Sequence, residues 1–521
     1  MLDTTQIILI VGWVFVLIWI PIVILTNRKT HPGAIFILFG AEMWERFSYY
    51  GMRALLTLYM VKVLFASMES SLADARALGI YGSYTSMVYL FPVLGGIIAD
   101  RYFGFKKAIL TGGILMMLGH FTLAIEGMAF GGSLPLFFTA LALITIGNGY
   151  FKPNISSFLG KFYELNDPRK DGAFTIFYMG VNIGAFLSTL TCGYVGERIS
   201  WHYGFGLAGI GMGLGLLLFY FLGPKYFHGK GGVPKEQTPI ASFISNNNLI
   251  WLVTLFFIPI CAVLLSFDEA MSTALFVISI LIIGYLIYQG VTDKDKTKGQ
   301  RLIVVVILFF FHAVFWALFE QAGGSLTLFT DRFVNRQAFG SIIPASIFQS
   351  LNPLYIVLLA PVFSWLWIQL SKRKVEPSTP MKFVLGLLQL GLGYVAIVVG
   401  IQYFQDSSGM IPVFFIFVLY LFHTTGELSL SPVGLSMITK LSPDKVVGFV
   451  MGFWMLSLAV ANKIAGEIGK LTSSEGAEAA ITGIDSYLQT YMIWGIGVVL
   501  LVSILLLMLV PKLRKWMHGI H

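Results

Sequence analysis

Residues 41–53, AEMWERFSYYGMR, put four charged side chains into one apolar stretch of the chain. The neighbouring residues 34–40 (AIFILFG) and 54–65 (ALLTLYMVKVLF) are almost entirely apolar. A charge at the centre of a membrane helix costs about 2.5–3.5 kcal/mol on insertion scales, so four uncompensated charges would cost roughly 10 kcal/mol or more. These charged side chains must therefore be paired with opposite charges, hydrated or required for function. They are Glu42, Glu45, Arg46 and Arg53.

The composition is that of an integral membrane protein. Of 521 residues, 57% are hydrophobic and 12% charged, and the mean hydropathy is +0.81. Soluble domains carry about 25% charged residues. The apolar runs have the length of membrane helices and lack the alternation of barrel strands. We predict an all-α polytopic membrane protein.

Fifteen apolar segments are separated by polar loops. They are expected at residues 7–26, 34–61, 78–100, 106–126, 135–160, 173–195, 202–222, 246–266, 269–289, 302–330, 352–370, 382–403, 411–439, 446–469 and 486–510. Loops that join successive spans must alternate between the two sides of the membrane.

Lysine and arginine are distributed unequally between the two sets of loops. One set contains 24 of the 34 basic residues and the other contains 6, while 4 lie within spans. The positive-inside rule assigns the richer set to the cytoplasm. This predicts a multi-pass protein of the cytoplasmic (inner) membrane with a cytoplasmic C-terminus and an external N-terminus.

The segments group into four predicted domains. Residues 1–31 form an extra N-terminal transmembrane helix, which lacks the basic start of a signal peptide and is expected to be retained. A six-helix bundle covers 32–222, a cytoplasmic linker and inserted helix pair cover 223–299, and a second six-helix bundle with a cytoplasmic tail covers 300–521. Cys192 and Cys261 lie in apolar runs and are expected to be small buried hydrophobes.

The fourth helices of the two bundles share an irregular motif. GNGYFKPN (147–154) and GELSLSPV (426–433) align glycine on glycine and proline on proline. Proline-interrupted segments at matching positions in two halves are typical of the central site of a transporter.

One face of the opening helix is charged and aromatic. A helix turns by 100° per residue, so the polar positions of this stretch fall within an arc of about 140°. They are Glu42, Glu45, Arg46, Tyr49, Tyr50 and Arg53. Such a face must look into a bundle interior or an aqueous cavity. Further charged residues inside spans are Lys152, Glu320, Glu427, Lys463 and Glu467.

These charges allow two interpretations. They could be buried ion pairs that hold helices together, or they could bind a zwitterion, whose carboxylate needs Arg or Lys and whose amine needs Glu. The carboxylates could also take up and release protons, because burial raises a carboxyl pKa and a nearby Arg lowers it. There is no Walker-type loop, so a proton gradient is the expected energy source.

The motifs resemble those of the proton-dependent oligopeptide transporters, a branch of the major facilitator superfamily. EMWER matches the family's E-x-x-E-R motif, and the other motifs follow in family order: GGIIADRYFGFKK, GNGYFKPN, FYMGVNIGAF, FWALFEQ, LNPLY, GELSLSPVGLSMITKLSP and GFWMLSLAVANKIAG. The resemblance covers residues 32–511. It implies a bacterial-type member with the major facilitator fold: two six-helix bundles related by pseudo-twofold symmetry, with an extra helix pair between them. The helix at 7–26 is an addition to that pattern.

The resemblance also implies roles for individual residues. Proton coupling would involve Glu42, Glu45, Arg46 and Glu320. Substrate contacts would come from Arg46, Tyr49, Tyr50, Arg53, Tyr89, Lys152, Asn182, Trp316, Glu320, Asn352, Glu427, Ser431 and Trp454. Arg53 would be able to pair with Glu320 and Lys152 with Glu427, while Asp100 and Arg101 would govern the conformational switch.

Several alternatives remain open from the sequence. The chain could carry another small substrate such as nitrate, or be a non-transporting peptide sensor. Catalytic motifs of an intramembrane enzyme are absent from the spans, and neither a cofactor, a metal nor nucleic acid is expected; the functional unit is expected to be a monomer. Trp316, Trp454 and Tyr89 could be plain packing, and Asn182 and Asn352 interhelical hydrogen bonds. We expect packing roles for the three histidines in apolar segments and a structural pair from Lys463 and Glu467; the histidines are His120, His312 and His423.

Overall fold

The computed structural model describes residues 3–164, 167–234, 237, 239–240, 244–442, 447–473 and 483–520, with the side chains of 431–436, 439, 447 and 448 outside the description. Its regular structure is almost wholly helical, which confirms the predicted all-α fold. The described residues of the fifteen apolar segments lie almost entirely in helices.

The described residues up to 234 form nine α-helices. They are α1 (Thr4–Asn27), α2 (Ala34–Tyr59), α3 (Ser70–Leu90), α4 (Pro92–Ile98), α5 (Gly104–Phe130), α6 (Leu134–Gly160), α7 (Lys170–Arg198), α8 (Trp201–Leu217) and α9 (Gly223–Phe227). Turns of π-helix at Met60–Leu64, Ala99–Phe103 and Leu218–Leu222 prolong α2, α4 and α8. Pro92 occupies the first turn of α4, where its missing N–H removes no hydrogen bond within the helix.

The described residues from 244 onward contribute ten more α-helices. They are α10 (Asn246–Ser266), α11 (Asp268–Thr292), α12 (Lys296–Phe319), α13 (Ser325–Phe333), α14 (Leu351–Lys372), α15 (Thr379–Tyr403), α16 (Phe414–Leu441), α17 (Val447–Lys470), α18 (Gly483–Thr490) and α19 (Val499–Trp516). Two 3₁₀ turns, Glu320–Gly323 and Ala345–Ser350, and one π turn, Tyr491–Val498, complete the helical structure.

Four two-residue strands are present in the part of the chain that the structure describes. β1 (Val334–Asn335) pairs in parallel with β4 (Ile411–Pro412), with Val334 opposite Ile411. β2 (Gln337–Ala338) pairs antiparallel with β3 (Ser341–Ile342), with Gln337 opposite Ile342.

Twelve stretches of the described chain are long and apolar enough to cross a membrane. One of them, Ser70–Phe130, contains two of the predicted segments. Helix α2 is not among the twelve, since its four charges make it too polar when it is judged alone. The chain is a multi-pass membrane protein.

The helices divide into two compact units. Unit 1 comprises the chain up to Phe65, Met87–Phe267 and Gln337–Pro353. Unit 2 comprises Ala66–Ser86, Asp268–Arg336 and the chain from Leu354.

Glycines bring the helices of unit 1 into close contact. A Cβ atom on Gly184 of α7 would lie 2.1 Å from the carbonyl oxygen of Met43 on α2. A Cβ atom on Gly147 of α6 would lie 2.6 Å from the carbonyl oxygen of Gly112 on α5. Small residues allow membrane helices to approach this closely, so α2 and α6 are both held firmly where their charged residues lie.

The additional N-terminal helix packs on α7. Trp13 Nε1 donates to Thr191 Oγ1 at 3.0 Å, and Gln6 Nε2 donates to Tyr194 OH at 3.0 Å. Helix α10 packs on α6, where Tyr150 and Thr254 share a hydrogen bond of 2.7 Å. Unit 1 therefore carries one helix of the inserted pair and the whole of α1.

The ion pair predicted on α17 of unit 2 is present. Lys463 Nζ lies 3.0 Å from Glu467 Oε1, and Lys470 and Asp268 extend the pair into a cluster in which Lys470 Nζ is 2.5 Å from Asp268 Oδ2. Because Asp268 begins α11, this cluster fastens α11 to α17. Both cysteines are free and buried, as predicted.

Candidate functional site

The carboxylates of α2 share one guanidinium. Arg46 Nε lies 2.8 Å from Glu42 Oε1 and 2.8 Å from Glu45 Oε2. Glu42 is 3% exposed and Glu45 is fully buried. The four-residue spacing puts Glu42 and Arg46 on one face of the helix, so the chain's own periodicity assembles this trio.

Helix α6 supplies two further polar groups to the trio. Asn148 Nδ2 donates to Glu45 Oε1 at 3.2 Å, and Lys152 follows one turn later on the same helix. In the described part of the chain, Glu42 Oε2 has no hydrogen-bond partner. Asn148 and Lys152 are four residues apart, which puts both on the face of α6 that meets α2.

This arrangement can bind a proton. Two ionised carboxylates against one guanidinium leave one excess negative charge, and protonation of either carboxylate makes the trio neutral. The three groups are in contact, so a charge brought close to any one of them changes the charge balance of the whole trio.

Aromatic rings accompany the basic side chains of unit 1. The Nζ of Lys152 lies 4.2 Å from the ring centroid of Tyr89, and the Cζ of Arg53 lies 5.8 Å from that of Tyr50. The rings of Tyr49 and Tyr50 meet edge to face at 5.3 Å. A cation beside an aromatic face is stabilised by the ring quadrupole, and this fixes where the two cations are presented.

Other predicted residues of unit 1 lie apart from the trio or make local contacts. Asn182 on α7 is buried and donates to Tyr178 O of its own helix at 3.0 Å. Asn352 is half-buried in the first turn of α14, while Asp100 and Arg101 are exposed on the π turn after α4.

The predicted tryptophans of unit 2 meet at a histidine. His312 Nε2 accepts a hydrogen bond of 2.9 Å from Trp316 Nε1, and the His312 ring lies 4.2 Å from the ring of Trp454. His312 Nδ1 lies 2.7 Å from Ser457 Oγ. An indole N–H can only donate, so the pattern fits the neutral imidazole with its proton on Nδ1. His312 thus fixes the orientation of Trp316.

The acidic residues predicted for unit 2 are both buried. Glu320 begins the 3₁₀ turn that follows α12, and Glu427 lies in α16. The side chain of Ser431 lies outside the described residues. Among the described residues, no group of three or more His, Cys, Asp or Glu side chains could hold a metal ion.

The structure adds three residues that the sequence interpretation had passed over or assigned only to packing. Asn148 bonds Glu45, His312 bonds Trp316, and Gly184 lets α7 approach the charged turn of α2. Four-residue spacing was an available signal for two of them, since Asn148 precedes Lys152 and His312 precedes Trp316 by that distance.

A protein-family model described as the POT family matches residues 106–484. The peptide transporter YePEPT of Yersinia enterocolitica is 36% identical over 94% of this chain and 96% of its own length. Dipeptide and tripeptide permease B of Edwardsiella piscicida is 32% identical over 94% of this chain and 96% of its own length.

Solved structures are similar over the same extent. A crystal structure of a peptide transporter POT mutant in complex with alafosfalin superposes with a TM-score of 0.80, at 36% identity, over 94% of this chain and 96% of that one. The similarity therefore extends beyond the motifs to nearly the whole helical framework.

Proposed function

Because the chain belongs to the POT family, we propose that it is a proton-coupled symporter that imports di- and tripeptides by alternating access. The predicted major facilitator fold is confirmed by the similarity to solved POT structures. The observation that carries the proposal is the buried trio of Glu42, Arg46 and Glu45, with Asn148 beside it.

The trio is proposed to bind the coupling proton. Its single excess negative charge is removed when either carboxylate is protonated, and each proton that enters gains roughly 2.3 kcal/mol per 100 mV of membrane potential. Glu320 is proposed to take part in the same coupling. In support, all four side chains are buried, and a change in water access would alter proton affinity strongly there.

The basic groups of unit 1 are proposed to bind the peptide carboxylate. Lys152 next to Tyr89, and Arg53 next to Tyr50, present cations beside rings that can contact the peptide. Arg46 is a further candidate through its guanidinium edge, while Tyr49 and Asn182 would line the binding region.

Unit 2 is proposed to supply the group that binds the peptide amine. Glu427 is the candidate, because a buried carboxylate can form a charge-assisted hydrogen bond with an ammonium. Trp316 and Trp454, both in contact with His312, are proposed as walls for the peptide side chains. Ser431 and Asn352 remain candidate polar contacts, and the pairings of Arg53 with Glu320 and Lys152 with Glu427 remain predictions of the sequence.

The remaining predictions concern the whole chain. The four-domain division, action as a monomer, residence in the inner membrane and the cytoplasmic C-terminus are retained as proposals, as is the role of Asp100 and Arg101 in the conformational switch. The charge bias of 24 to 6 between the two sets of loops supports the orientation.

Purified protein in liposomes tests the function directly. A pH-sensitive dye is enclosed, an inside-negative potential is imposed, and dialanine, trialanine, nitrate and a sugar are added in turn. We expect the lumen to acidify with the two peptides alone. Acidification with nitrate would replace peptide by a small anion as the substrate.

A matched pair of variants connects that signal to the trio. Glu45→Gln is expected to abolish acidification, while Ser156→Ala is expected to retain it, because the Ser156 hydroxyl bonds main-chain carbonyls of its own helix. Folded wild-type protein that responds to none of the solutes would instead support the sensor function.

A further inference from the structure

Unit 1 contains a cavity whose lining residues include no member of the trio. Its volume is about 740 Å³, within the range of roughly 300–1,000 Å³ that is usual for ligand pockets. It is bounded by the first turns of α5, the π turns that follow α4 and α8, the short α9, the linker after it, and Trp251 of α10.

One end of this cavity is basic. Lys106 and Lys107 line it, and no Asp or Glu is among its described lining residues. Lys107 Nζ lies 4.2 Å from the Phe103 ring centroid and donates to Asn247 Oδ1. Both lysines are half-buried, so their charges are partly removed from solvent screening.

The linker holds this basic end in place. Lys106 N donates to Gly231 O at 3.0 Å. A Cβ atom on Gly104 would lie 2.1 Å from Gly232 O, and Gly104 has a φ of +69° that suits glycine. The chain therefore passes tightly over the start of α5 and leaves the lysines at the rim of the cavity.

The opposite end is apolar and open to the side. Leu110 and Ile114 follow Lys107 at helical spacing along α5 and line the wall. Ile114 is 44% exposed and Phe221 is 68% exposed. These residues belong to membrane-spanning segments, so the opening faces the hydrocarbon of the bilayer.

A phosphate group beside an acyl chain fits this combination. We propose that the cavity is a binding site for an anionic phospholipid, with the phosphate against Lys106 and Lys107 and an acyl chain along Leu110, Ile114 and Phe221. Basic pockets between membrane helices at the cytoplasmic end bind anionic headgroups, and the charge bias of the loops assigns this end of α5 to the cytoplasm.

A neighbouring cavity explains why the phosphate is assigned to this pair of lysines. That cavity, of about 400 Å³, shares Gly231 and Gly232 with the first and is lined by Lys161 and Lys230. It also contains Asp100, whose carboxylate offsets part of the positive charge. The proposal does not depend on which substrate the protein transports.

Native mass spectrometry of the detergent-solubilised full chain can test the site. The probes are phosphatidylglycerol, phosphatidylcholine of the same acyl chains, and inorganic phosphate. The test variant combines Lys106→Gln and Lys107→Gln, and its charge-conserving counterpart combines Lys106→Arg and Lys107→Arg. A control variant combines Lys512→Gln and Lys515→Gln, which remove two exposed charges from α19. Leu110→Trp keeps both lysines and fills the apolar wall.

We expect wild type to retain phosphatidylglycerol over phosphatidylcholine. The double glutamine variant should lose roughly 10- to 30-fold in affinity, since each lysine contributes about 1 kcal/mol towards an anionic lipid surface. The arginine variant and the α19 variant should bind as wild type does, and Leu110→Trp should bind more weakly.

Three results would overturn the proposal. The first is that the double glutamine variant retains phosphatidylglycerol as well as wild type does. The second is that wild type retains phosphatidylcholine as well as it retains phosphatidylglycerol. The third is that inorganic phosphate binds as tightly as the lipid, which would make the site one for free phosphate. Unchanged elution in size-exclusion chromatography establishes that each variant is folded.

Discussion

The side-chain amide of Asn148 on α6 donates a 3.2 Å hydrogen bond to the carboxylate of Glu45 on α2. This bond joins α2, which carries the trio, to α6, which carries Lys152. It also orients the carboxylate that is fully buried, and so it connects the proposed peptide-binding face of α6 with the proposed proton site.

Asn148→Ala should lower proton-driven peptide uptake about tenfold. A hydrogen bond to a charged group contributes roughly 1.5–3 kcal/mol, and 1.4 kcal/mol is a factor of ten. The measurement is uptake into liposomes under an imposed potential, with Ser156→Ala as the control on the same helix. Uptake within a factor of two of wild type would exclude Asn148 from the coupling site.

Arg46→Gln should destabilise the protein strongly. Removal of one partner of a buried ion pair leaves an uncompensated charge, at a cost of about 3–5 kcal/mol, and here two carboxylates lose their shared partner. Thermal denaturation in detergent should show the loss.

The triple variant Glu42→Gln, Glu45→Gln, Arg46→Gln separates stability from coupling. Its melting temperature should recover towards the wild-type value because no unpaired charge remains, while proton-driven uptake stays absent. A triple variant as unstable as Arg46→Gln would mean that the trio's geometry, and not its charge balance, holds α2.

Lys152→Ala should weaken peptide binding by an order of magnitude or more and leave the fold intact. The ammonium lies over the Tyr89 ring at 4.2 Å, and hydrogen bonds between charged partners are about twice as strong as neutral ones. Equilibrium binding of a labelled dipeptide measures the effect. Tyr89→Phe, which keeps the ring, should bind nearly as wild type does, whereas unchanged affinity in Lys152→Ala would remove this lysine from the binding site.

Gly184→Ala should impair both stability and uptake. Its new Cβ would lie 2.1 Å from Met43 O and 3.0 Å from Arg46 Cβ, so α7 must move away from the turn of α2 that carries the trio. Gly206→Ala is the matched control, because its Cβ would meet only Ala124 Cβ at 3.7 Å. Melting temperature and uptake are measured for both, and equal values would show that the α2–α7 contact is adaptable.

His31 should make stability depend on pH in the mildly acidic range. His31 Nδ1 lies 2.7 Å from Tyr163 OH in the loop between α1 and α2. Burial, aided by the charge of Arg169 and opposed by Asp167, lowers the pKa of His31. Above the unfolded-state pKa of about 6.5, His31 is neutral in both the folded and the unfolded chain. Below it the unfolded chain takes up the proton first, so the folded state becomes less stable as the pH falls.

His31→Asn should therefore reduce the fall in melting temperature between about pH 7 and about pH 5.5. Tyr163→Phe, which leaves the imidazole in place, should keep most of the fall. A pH profile of His31→Asn that is parallel to that of wild type would show that another group causes the acid sensitivity.

Many features of this protein follow from local sequence alone. Apolar runs long enough to cross a membrane must form helices, because the bilayer offers no partner to an unpaired backbone group; the fifteen segments were predictable for that reason. The four-residue spacing of Lys463 and Glu467 likewise predicted an ion pair that the structure contains, and the same spacing brings Glu42 and Arg46 together.

Other features depend on helices that are distant in the sequence. No pattern around Glu45 indicates that Asn148 will bond it, or that the carbonyl of Met43 needs a glycine on α7. The cavity beside Lys106 and Lys107 likewise requires α8, α10 and the linker to meet α5. Helical periodicity determines which side chains share a face, but the partner of that face is chosen by close packing between whole helices, which only the tertiary structure decides.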